Sequence, residues 1–489
     1  MRAFSLFLVQ SAIFSTIGLA ACGKNSQNKN AVDPGPNKNT SEKNSDSATN
    51  QKTDPQVTTQ DKQKNKENEL FANFKSVAVG FNLGCGLTPE SGVKCWNGFG
   101  FRDENEGQLG NGTFKDSPKA VKVSGLDKGV KSLAIGSDFA CALLENGTVK
   151  CWGSNSKGKL GNHSFVNSNV PVEVKDVINA KLLKVASDTA CALTEKGELF
   201  CWGKIINEYH SINNPLVPNQ KILLPDPISS FEVQDDFACA ITSKKELFCW
   251  GDNYRGQLGW QIPPKSKYEN RYAPQKVVLP PDFGLPEKVV LGNHRDACAI
   301  SEGGALACWG NYLSVYDQVK KERSFKEMPP TVIPQGAPIR DIVLLSGAIC
   351  SIRRDDTVWC WGDNSNGLIG QSGTNFSEVP IQNADIKDPV QSLFHNYGTA
   401  CALTKTKVFF CWGENSFGAL GSGTNIKFSN KPIFPAGISE KIIEVSSDSD
   451  TAIAVLTETG KAYWWGYTLG GGDAVGAVTY SNLPTLVKE

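Results

Sequence analysis

The sequence predicts an all-β protein: a single closed β-propeller of eight repeat units, preceded by a disordered tether. Three observations predict it. First, the stretch Cys141-Ala-Leu-Leu-Glu-Asn-Gly-Thr-Val-Lys-Cys151-Trp-Gly153 returns as Cys191-Ala-Leu-Thr-Glu-Lys-Gly-Glu-Leu-Phe-Cys201-Trp-Gly203, and its Trp recurs at 96, 152, 202, 250, 309, 361, 412 and 465. A fixed period of about fifty residues means a solenoid, propeller or array. Second, fourteen of the 15 cysteines fall into seven pairs, each ten residues apart. Third, every unit holds three or four short strand patterns separated by glycine turns, which is the composition of propeller blades.

Within a unit the elements follow one order. A short apolar strand opens it, as in Ser76–Val79, 132–135, 289–291 and 442–445. A hairpin follows, with alternation such as Val149-Lys150-Cys151-Trp152 on its return strand. Its loop, Glu145-Asn146-Gly147, has the chemistry of a three-residue turn with glycine in the left-handed position, and Gly197, Gly304 and Gly460 stand in the same place. Five units then carry a turn close to Gly-x-Leu-Gly, at 107–110, 158–161, 256–259, 367–370 and 418–421. A last strand, such as 171–174, often closes the unit. The Trp is large enough to fill space between neighbouring blades, the glycines permit tight turns, and the Leu pins the turn to the core.

The pairs Cys85 with Cys95, Cys141 with Cys151, Cys191 with Cys201, Cys239 with Cys249, Cys298 with Cys308, Cys350 with Cys360 and Cys401 with Cys411 read as disulfides. The hairpin register sets Leu144 opposite Thr148, Leu143 opposite Val149 and Cys141 opposite Cys151. Counted from the loop, the cysteines share a non-hydrogen-bonded rung, where alpha carbons lie roughly 4.5 Å apart and a bridge can form. The eighth unit has Ala454 and Trp464 instead, so both members are lost together, as a bonded pair requires. Zinc ligation lacks the short Cys-x-x-Cys or Cys/His spacing. Free buried thiols are the alternative in a reducing compartment.

The start of the chain bears on that choice. An apolar run from Ala3 to Ala21, interrupted by Gln10, Ser11, Ser15 and Thr16, fits a secretory signal over residues 1–21. It ends Leu19-Ala20-Ala21-Cys22, which resembles the lipobox of bacterial lipoproteins, in which the cysteine becomes the lipidated N-terminus. Lipid on Cys22 would anchor the chain without a spanning helix. By resemblance to enteric sorting rules, Gly23 points to the outer membrane, at its surface or periplasmic face. Export also places the cysteines where disulfides persist. Residues 22–70 form the lipidated linker. From residue 23 on it is rich in Lys, Asn, Ser, Asp, Thr and Gln, with no aromatic residue, and cannot offset its ordering entropy. As random coil it spans roughly 40 Å.

Residues 71–489 resemble the regulator of chromosome condensation repeat family. Trp152-Gly153-Ser154-Asn155, Trp361-Gly362-Asp363-Asn364, Gly107-Gln108-Leu109-Gly110 and Gly256-Gln257-Leu258-Gly259 carry the resemblance. It implies a circular propeller, usually of seven blades. This chain differs in having eight units, in replacing the His before Ala-Leu by Phe139, Thr189, Phe237 or Asp296, and in adding the cysteine pairs.

A formal net charge of zero gives no long-range field to attract nucleic acid. No His-Glu-x-x-His, nucleophile elbow or phosphate loop is present, and no cofactor is expected. His163, His210, His294 and His395 fall at four different places relative to the repeat and need not converge. Asp138, Asp188 and Asp236 recur three residues before the first cysteine of their units; they read as caps on the turn between two strands, with a carboxylate ring around a cation as the alternative. Loops that break the repeat are where individual function would lie. Residues 204–223 replace the Gly-x-Leu-Gly turn. Residues 252–276 carry Tyr254, Arg255, Trp260, Tyr268 and Tyr272, the residue types of interface hot spots, unless they cover blade edges. The expectation is a monomeric, non-enzymatic envelope scaffold that binds an extracellular or envelope protein or glycan, for adhesion or to inhibit a secreted partner. A propeller enzyme with a channel metal or acid site is the alternative. The guanine-nucleotide exchange of the nuclear family founder fits poorly with export.

Overall fold

Among the described residues eight four-stranded antiparallel sheets follow one another along the chain, each built from strands of a single unit. The computed structural model describes residues 71–489 other than 82, 98–105, 208–218, 261–270, 312–313, 318–321, 326–327, 397, 448–451 and 467–480. The sheets are the blades of an eight-bladed propeller, occupying 76–122, 130–173, 180–222, 228–276, 286–333, 339–382, 390–433 and 442–486. The second blade is typical: an innermost strand Val130–Ile135, the hairpin Phe139–Leu144 and Val149–Gly153, and an outer strand Ser168–Glu173. Two insertions depart from the repeat: a helical turn at Lys204–Asn207 and a small hairpin, Ser314–Asp317 with Glu322–Phe325.

The hairpin register is the one the loop chemistry dictates. Cys141 pairs with Cys151 and Leu143 with Val149, and the Leu144 amide donates to the Thr148 carbonyl at 2.8 Å. The same rung is bridged in seven blades. Cys85 bonds Cys95 in the first, Cys141 bonds Cys151 in the second and Cys191 bonds Cys201 in the third. Cys239 bonds Cys249 in the fourth and Cys298 bonds Cys308 in the fifth. Cys350 bonds Cys360 in the sixth and Cys401 bonds Cys411 in the seventh. Their alpha carbons are 4.0–4.1 Å apart, closer than the spacing of roughly 4.5 Å expected for a non-hydrogen-bonded rung. Gly147, Gly197, Gly304 and Gly460 take φ between 78° and 83° at the loop. In the other four blades Ser91, Lys245, Asp356 and Lys407 hold the same left-handed conformation.

The core consists of eight apolar layers, one between each pair of neighbouring blades. Strand alternation decides which side chain enters which layer. Ala140, Ala142 and Trp152 face the preceding blade; Cys141, Leu143 and Cys151 face the following one. The Ala-Cys-Ala pattern thus places each disulfide on the opposite face from the Trp. Each Trp also makes a specific bond across the layer where the preceding blade offers the Gly-x-Leu-Gly turn. The indole N–H groups of Trp152, Trp202, Trp309, Trp412 and Trp465 donate at 2.8–2.9 Å to the carbonyls of Gln108, Lys159, Gln257, Leu368 and Ala419. Those five acceptors are the second residues of the five turns. The motif Asn shapes the turn for this role: Asn155, Asn253, Asn364 and Asn415 accept, at 2.9–3.0 Å, the amide of the turn's Leu or Ile. Trp96, Trp250 and Trp361 follow the three units without that turn, and their indole N–H groups have no partner among the described residues.

The ring closes between the last blade and the first. The Ala72 amide donates to Val487 and the Phe74 amide to Gly460. Glu444 accepts from the Ser76 hydroxyl at 2.8 Å and the Val77 amide at 3.3 Å. Here Trp464, standing in a cysteine position, faces the first blade and meets Trp96 edge-on at 6.2 Å, while Phe74 packs on Trp96 at 5.4 Å. This seam explains why the first blade has Gly84-Cys85-Gly86 where its neighbour has Ala-Cys-Ala. A methyl group at Gly84 would lie 2.4 Å from Trp96, and one at Gly86 2.3 Å from Phe74.

Outer strands are exposed edges, and several carry a proline that cannot extend a ladder: Pro171, Pro380, Pro432 and Pro484.

Two outcomes are expected. Trp412→Phe should be more destabilising than Trp361→Phe by about 1–3 kcal/mol in denaturant melts, because only the former strands a buried carbonyl, that of Leu368. Equal losses would show that the tryptophans act through volume alone. The double replacement Cys191→Ala with Cys201→Ala should lower the melting temperature, by an amount up to the roughly 2.5–3 kcal/mol that closing such a loop supplies, and leave strand content unchanged by circular dichroism. Thiol titration of the denatured, unreduced protein should find essentially no free thiol among the fourteen paired cysteines.

Candidate functional site

The turns between the first and second strands and the Gly-x-Leu-Gly loops lie on one face, since the third strand runs parallel to the first. That face surrounds one mouth of the central channel. Between the third and fifth blades a cavity of about 400 Å³ opens there, lined by Lys204, Asp235, Asp236, Arg255, His294 and Arg295 among others. Ser187 and Gln234 also line a smaller cavity of about 190 Å³, which Val79, Ile135, Val185 and Val233, from the ends of four innermost strands, share with His395. The two spaces are thus neighbours, meeting at Ser187 and Gln234.

Three arrays of charge surround the mouth. The first is built on Lys159, the second residue of a Gly-x-Leu-Gly turn. Its side chain is 1% exposed, its ammonium meets Asp138 and lies 3.0 Å from Asp188, and Lys157 reaches Asp188 at 2.7 Å. Burial raises the pKa of Asp138 against the pull of Lys159. Burial would also raise that of Asp188, but Lys157 and Lys159 together hold it below the usual range. In the second array Asp235 accepts the Asp188 amide at 2.8 Å and faces Lys204 at 3.8 Å, and burial raises its pKa. In the third, Arg295 lies 3.4 Å from Asp236 and 3.6 Å from Asp252. Asp138, Asp188 and Asp236, expected to cap their turns, have their carboxylates engaged by Lys or Arg from a neighbouring loop or blade. Asp235 is the residue that caps, and it does so across the blade boundary. Among the described residues no three His, Cys, Asp or Glu side chains are grouped as a metal ion would require.

The loop that presents His294 and Arg295 has its own support. Asp296 occupies the position of Phe139, Thr189 and Phe237 in other blades. The residue is 2% exposed, its Oδ1 is buried with no hydrogen-bond partner among the described residues, and it packs over Gly292, where a methyl group would lie 2.3 Å from Oδ1. Burial pushes its pKa up to about 7. On the seventh blade His395 is partly accessible in the channel yet surrounded by protein; burial, aided by repulsion from His294, pushes its pKa down to about 4. His294 and His395 line different cavities, in keeping with their unequal places in the repeat.

Of the interface residues expected from the sequence, Tyr254 and Arg255 come to the cavity. Tyr254 is 45% exposed, with the Arg255 guanidinium 5.0 Å and that of Arg295 5.7 Å from its ring. Trp260 lies apart, half-buried against the layer between the fourth and fifth blades. Tyr272 pairs with Gly251 through the outer strand Arg271–Lys276, its side chain outside the described residues, as are Tyr268, His210 and Cys22. Lys159, Lys204, Asp235 and Arg295 were not foreseen. The signal for Lys159 was a charge at a turn position that elsewhere holds Gln, Leu or Ala.

Comparison with known proteins bears on the repeat and the fold. The Regulator of chromosome condensation (RCC1) repeat is matched at residues 130–159 and 235–257, and by a second description of the same repeat at 146–188. The ultraviolet-B receptor UVR8 of Arabidopsis thaliana is 26% identical over 391 residues, 78% of this chain and 76% of that protein. The E3 ubiquitin-protein ligase HERC2 of Homo sapiens is 28% identical over 185 residues, 36% of this chain; the match spans 4% of that protein's length. Among solved structures, Prp20p of Saccharomyces cerevisiae superposes with a TM-score of 0.53 at 17% identity, covering 79% of this chain and 92% of that one, a likeness of fold.

Asp296 and His395 give opposite pH dependences. The folded pKa of Asp296, about 7, lies above the ordinary carboxylate value of 3.8, so its contribution is present at low pH and is lost as pH rises toward about 7. The folded pKa of His395, about 4, lies below the ordinary 6.5, so its contribution is present above 6.5 and is lost as pH falls. Relative to the unmodified protein, Asp296→Asn should lose thermal stability on acidification from pH about 7 to about 5, and His395→Gln should gain it. Parallel melting curves for all three would show that neither group titrates in this window.

Proposed function

This chain belongs to the regulator of chromosome condensation repeat family, and on that premise we propose that it is a non-enzymatic binding scaffold: a lipid-anchored propeller of the bacterial cell envelope that holds a protein partner at the channel mouth between its third and fifth blades. The observation that carries this reading is the exposed Tyr254, flanked by the guanidinium groups of Arg255 and Arg295 beside a preformed polar cavity. Tyr and Arg are the residues that dominate binding energy at protein interfaces. The acids around the mouth are held by cations of neighbouring loops and blades, Asp138 and Asp188 by Lys159 and Asp236 by Arg295. A relative of the same fold, Prp20p, is described by its binding to Gsp1p and histones, so a protein-binding role is in keeping with the family's use of the fold.

The envelope location rests on Leu19-Ala20-Ala21-Cys22 after an apolar run, and on seven disulfides that an oxidising compartment preserves. Among the described residues no helix is long and apolar enough to cross a membrane. In this reading the lipid on Cys22 is the anchor and residues 23–70 are the spacer.

Cys22→Ala should move the protein from the membrane fraction to the soluble one; a variant that stays with membranes after a salt wash would refute the anchor. For the binding role, the intact protein immobilised in detergent should retain a defined envelope protein through washing, and the double variant Tyr254→Ala with Arg255→Ala should lose it while melting at the same temperature. Retention by the double variant would place the interface elsewhere.

A further inference from the structure

The Gly-x-Leu-Gly turn does not need a cation at its second place. Four of the five turns hold Gln108, Gln257, Leu368 or Ala419 there and accept the indole of the next blade at 2.8–2.9 Å. The fifth holds Lys159, whose side chain is 1% exposed. Its ammonium lies against Asp138, 3.0 Å from Asp188 and 5.6 Å from the centre of the buried Phe139 ring. The backbones that carry these groups are pinned. The Lys159 carbonyl accepts the Trp202 indole N–H at 2.8 Å, the Asp138 carbonyl accepts the Ser154 amide at 3.0 Å, and the Asp188 carbonyl accepts the Lys204 amide at 2.9 Å. A lysine nitrogen, a carboxyl in contact with it and a second carboxylate at hydrogen-bond distance are the parts of an acyl transfer: nucleophile, electrophile and base. The two acids differ as those roles require. Burial raises the pKa of Asp138, toward the neutral acid that can release water. Burial acts on Asp188 as well, but Lys157 and Lys159 hold it below its ordinary range, as the anion that can take a proton.

We propose that Lys159 and Asp138 condense into an intramolecular isopeptide bond, with Asp188 as the base. Within the contact pair the ammonium passes one proton to the Asp138 carboxylate, leaving an amine beside an acid. The amine nitrogen attacks Cγ of Asp138, and the carbonyl π electrons move onto oxygen. Asp188 takes a second proton from the nitrogen and returns it to the departing hydroxyl as the C–O bond breaks. An ammonium and a carboxylate thus become one amide and one water; nothing is oxidised or reduced, and no co-reactant enters. Groups held in this way react at effective concentrations on the order of 10⁵–10⁸ M in the best-oriented cases. The charges left behind still balance, since Lys157 pairs with Asp188 at 2.7 Å. The product ties the turn before the second strand of the second blade to the Gly-x-Leu-Gly loop of the same blade. It replaces a contact that acid weakens and salt screens with a bond that does not titrate.

The test is mass spectrometry of the full chain, purified in detergent, reduced, alkylated and digested with trypsin. Trypsin should fail to cut after Lys159, and residues 132–150 should appear joined to residues 158–175, weighing one water less than the two peptides together. Lys159→Arg and Asp138→Ala should each abolish the joined peptide. Asp188→Asn should slow its appearance in pulse-labelled cells by about a hundredfold or more, as loss of a general base does. Asp138→Asn should close by releasing ammonia instead of water and reach the same final mass as the unmodified protein. An ion pair that only locks the blades together would leave the mass untouched in every case. The unmodified protein suffices to overturn the proposal, whatever the folding of the variants: cleavage after Lys159 with no water lost would do so. A lost water that survives Lys159→Arg, or a joined peptide that maps to Asp188, would overturn it as well.

Discussion

The tryptophan of one blade fastened to the glycine turn of the blade before is the interaction on which the rest of this structure depends. A four-stranded sheet has two apolar faces and cannot bury either alone, so the blades are stable only as neighbours. Apolar area is non-directional and would tolerate sliding of one sheet over the next. The indole N–H bond to a specific carbonyl removes that freedom, because a large side chain and a single donor must both be placed correctly. The Gly-x-Leu-Gly turn offers that carbonyl through two glycines in the left-handed region and a buried Leu or Ile, and the motif Asn holds the turn closed. Strand alternation then leaves the opposite face of each hairpin for the disulfide, so the covalent and the packed elements do not compete.

Where the interlock is missing, the chain uses other means. The seam between the last and first blades has no cysteine pair on the eighth hairpin, and Trp464 fills the space against Trp96. Glycine at 84 and 86 makes room for the aromatic rings, at the conformational cost that glycine brings to a strand. The units before Trp250 and Trp361 give up the standard turn and carry instead the helical turn at Lys204–Asn207 and the inserted hairpin that begins at Ser314. Those units are the third and fifth blades, which flank the cavity. Loss of the repeat and gain of the cavity thus coincide, as expected of a rigid scaffold on which individual function resides in irregular loops.

The electrostatics of the mouth follow the same division. Lys159 has lost nearly all contact with solvent and is stable there only because two carboxylates from adjacent blades surround it. It serves the ring, bridging the second and third blades at the channel edge. Lys204 and Arg295 keep more solvent, with Asp235 3.8 Å from the one and Asp236 and Asp252 3.4 Å and 3.6 Å from the other. Asp296 is a buried acid where other blades place Phe or Thr, and burial raises its pKa to about 7.

What the sequence determined by itself was whatever depends on spacing along the chain. The ten-residue cysteine interval, the three-residue loop and strand alternation fix the hairpin, its register and its disulfide, because all three are local. The eight tryptophans fix the number of blades, because each unit buries its faces only against its neighbours. Tyr254 and Arg255 were legible as candidate contact residues from their residue types, since they stand in an otherwise regular stretch of the fourth unit where the sixth has Ser365 and Asn366. The site itself was decided by closure of the ring. Lys159 finds Asp188 across a blade boundary and Arg295 finds Asp236 from the next blade, neither at a spacing that recurs. The three Asp residues looked like turn caps because a local partner was the nearest one the sequence could offer. In the folded ring, cations from the neighbouring loops and blades came closer, and a full charge outcompetes a backbone amide for a carboxylate that is partly withdrawn from water.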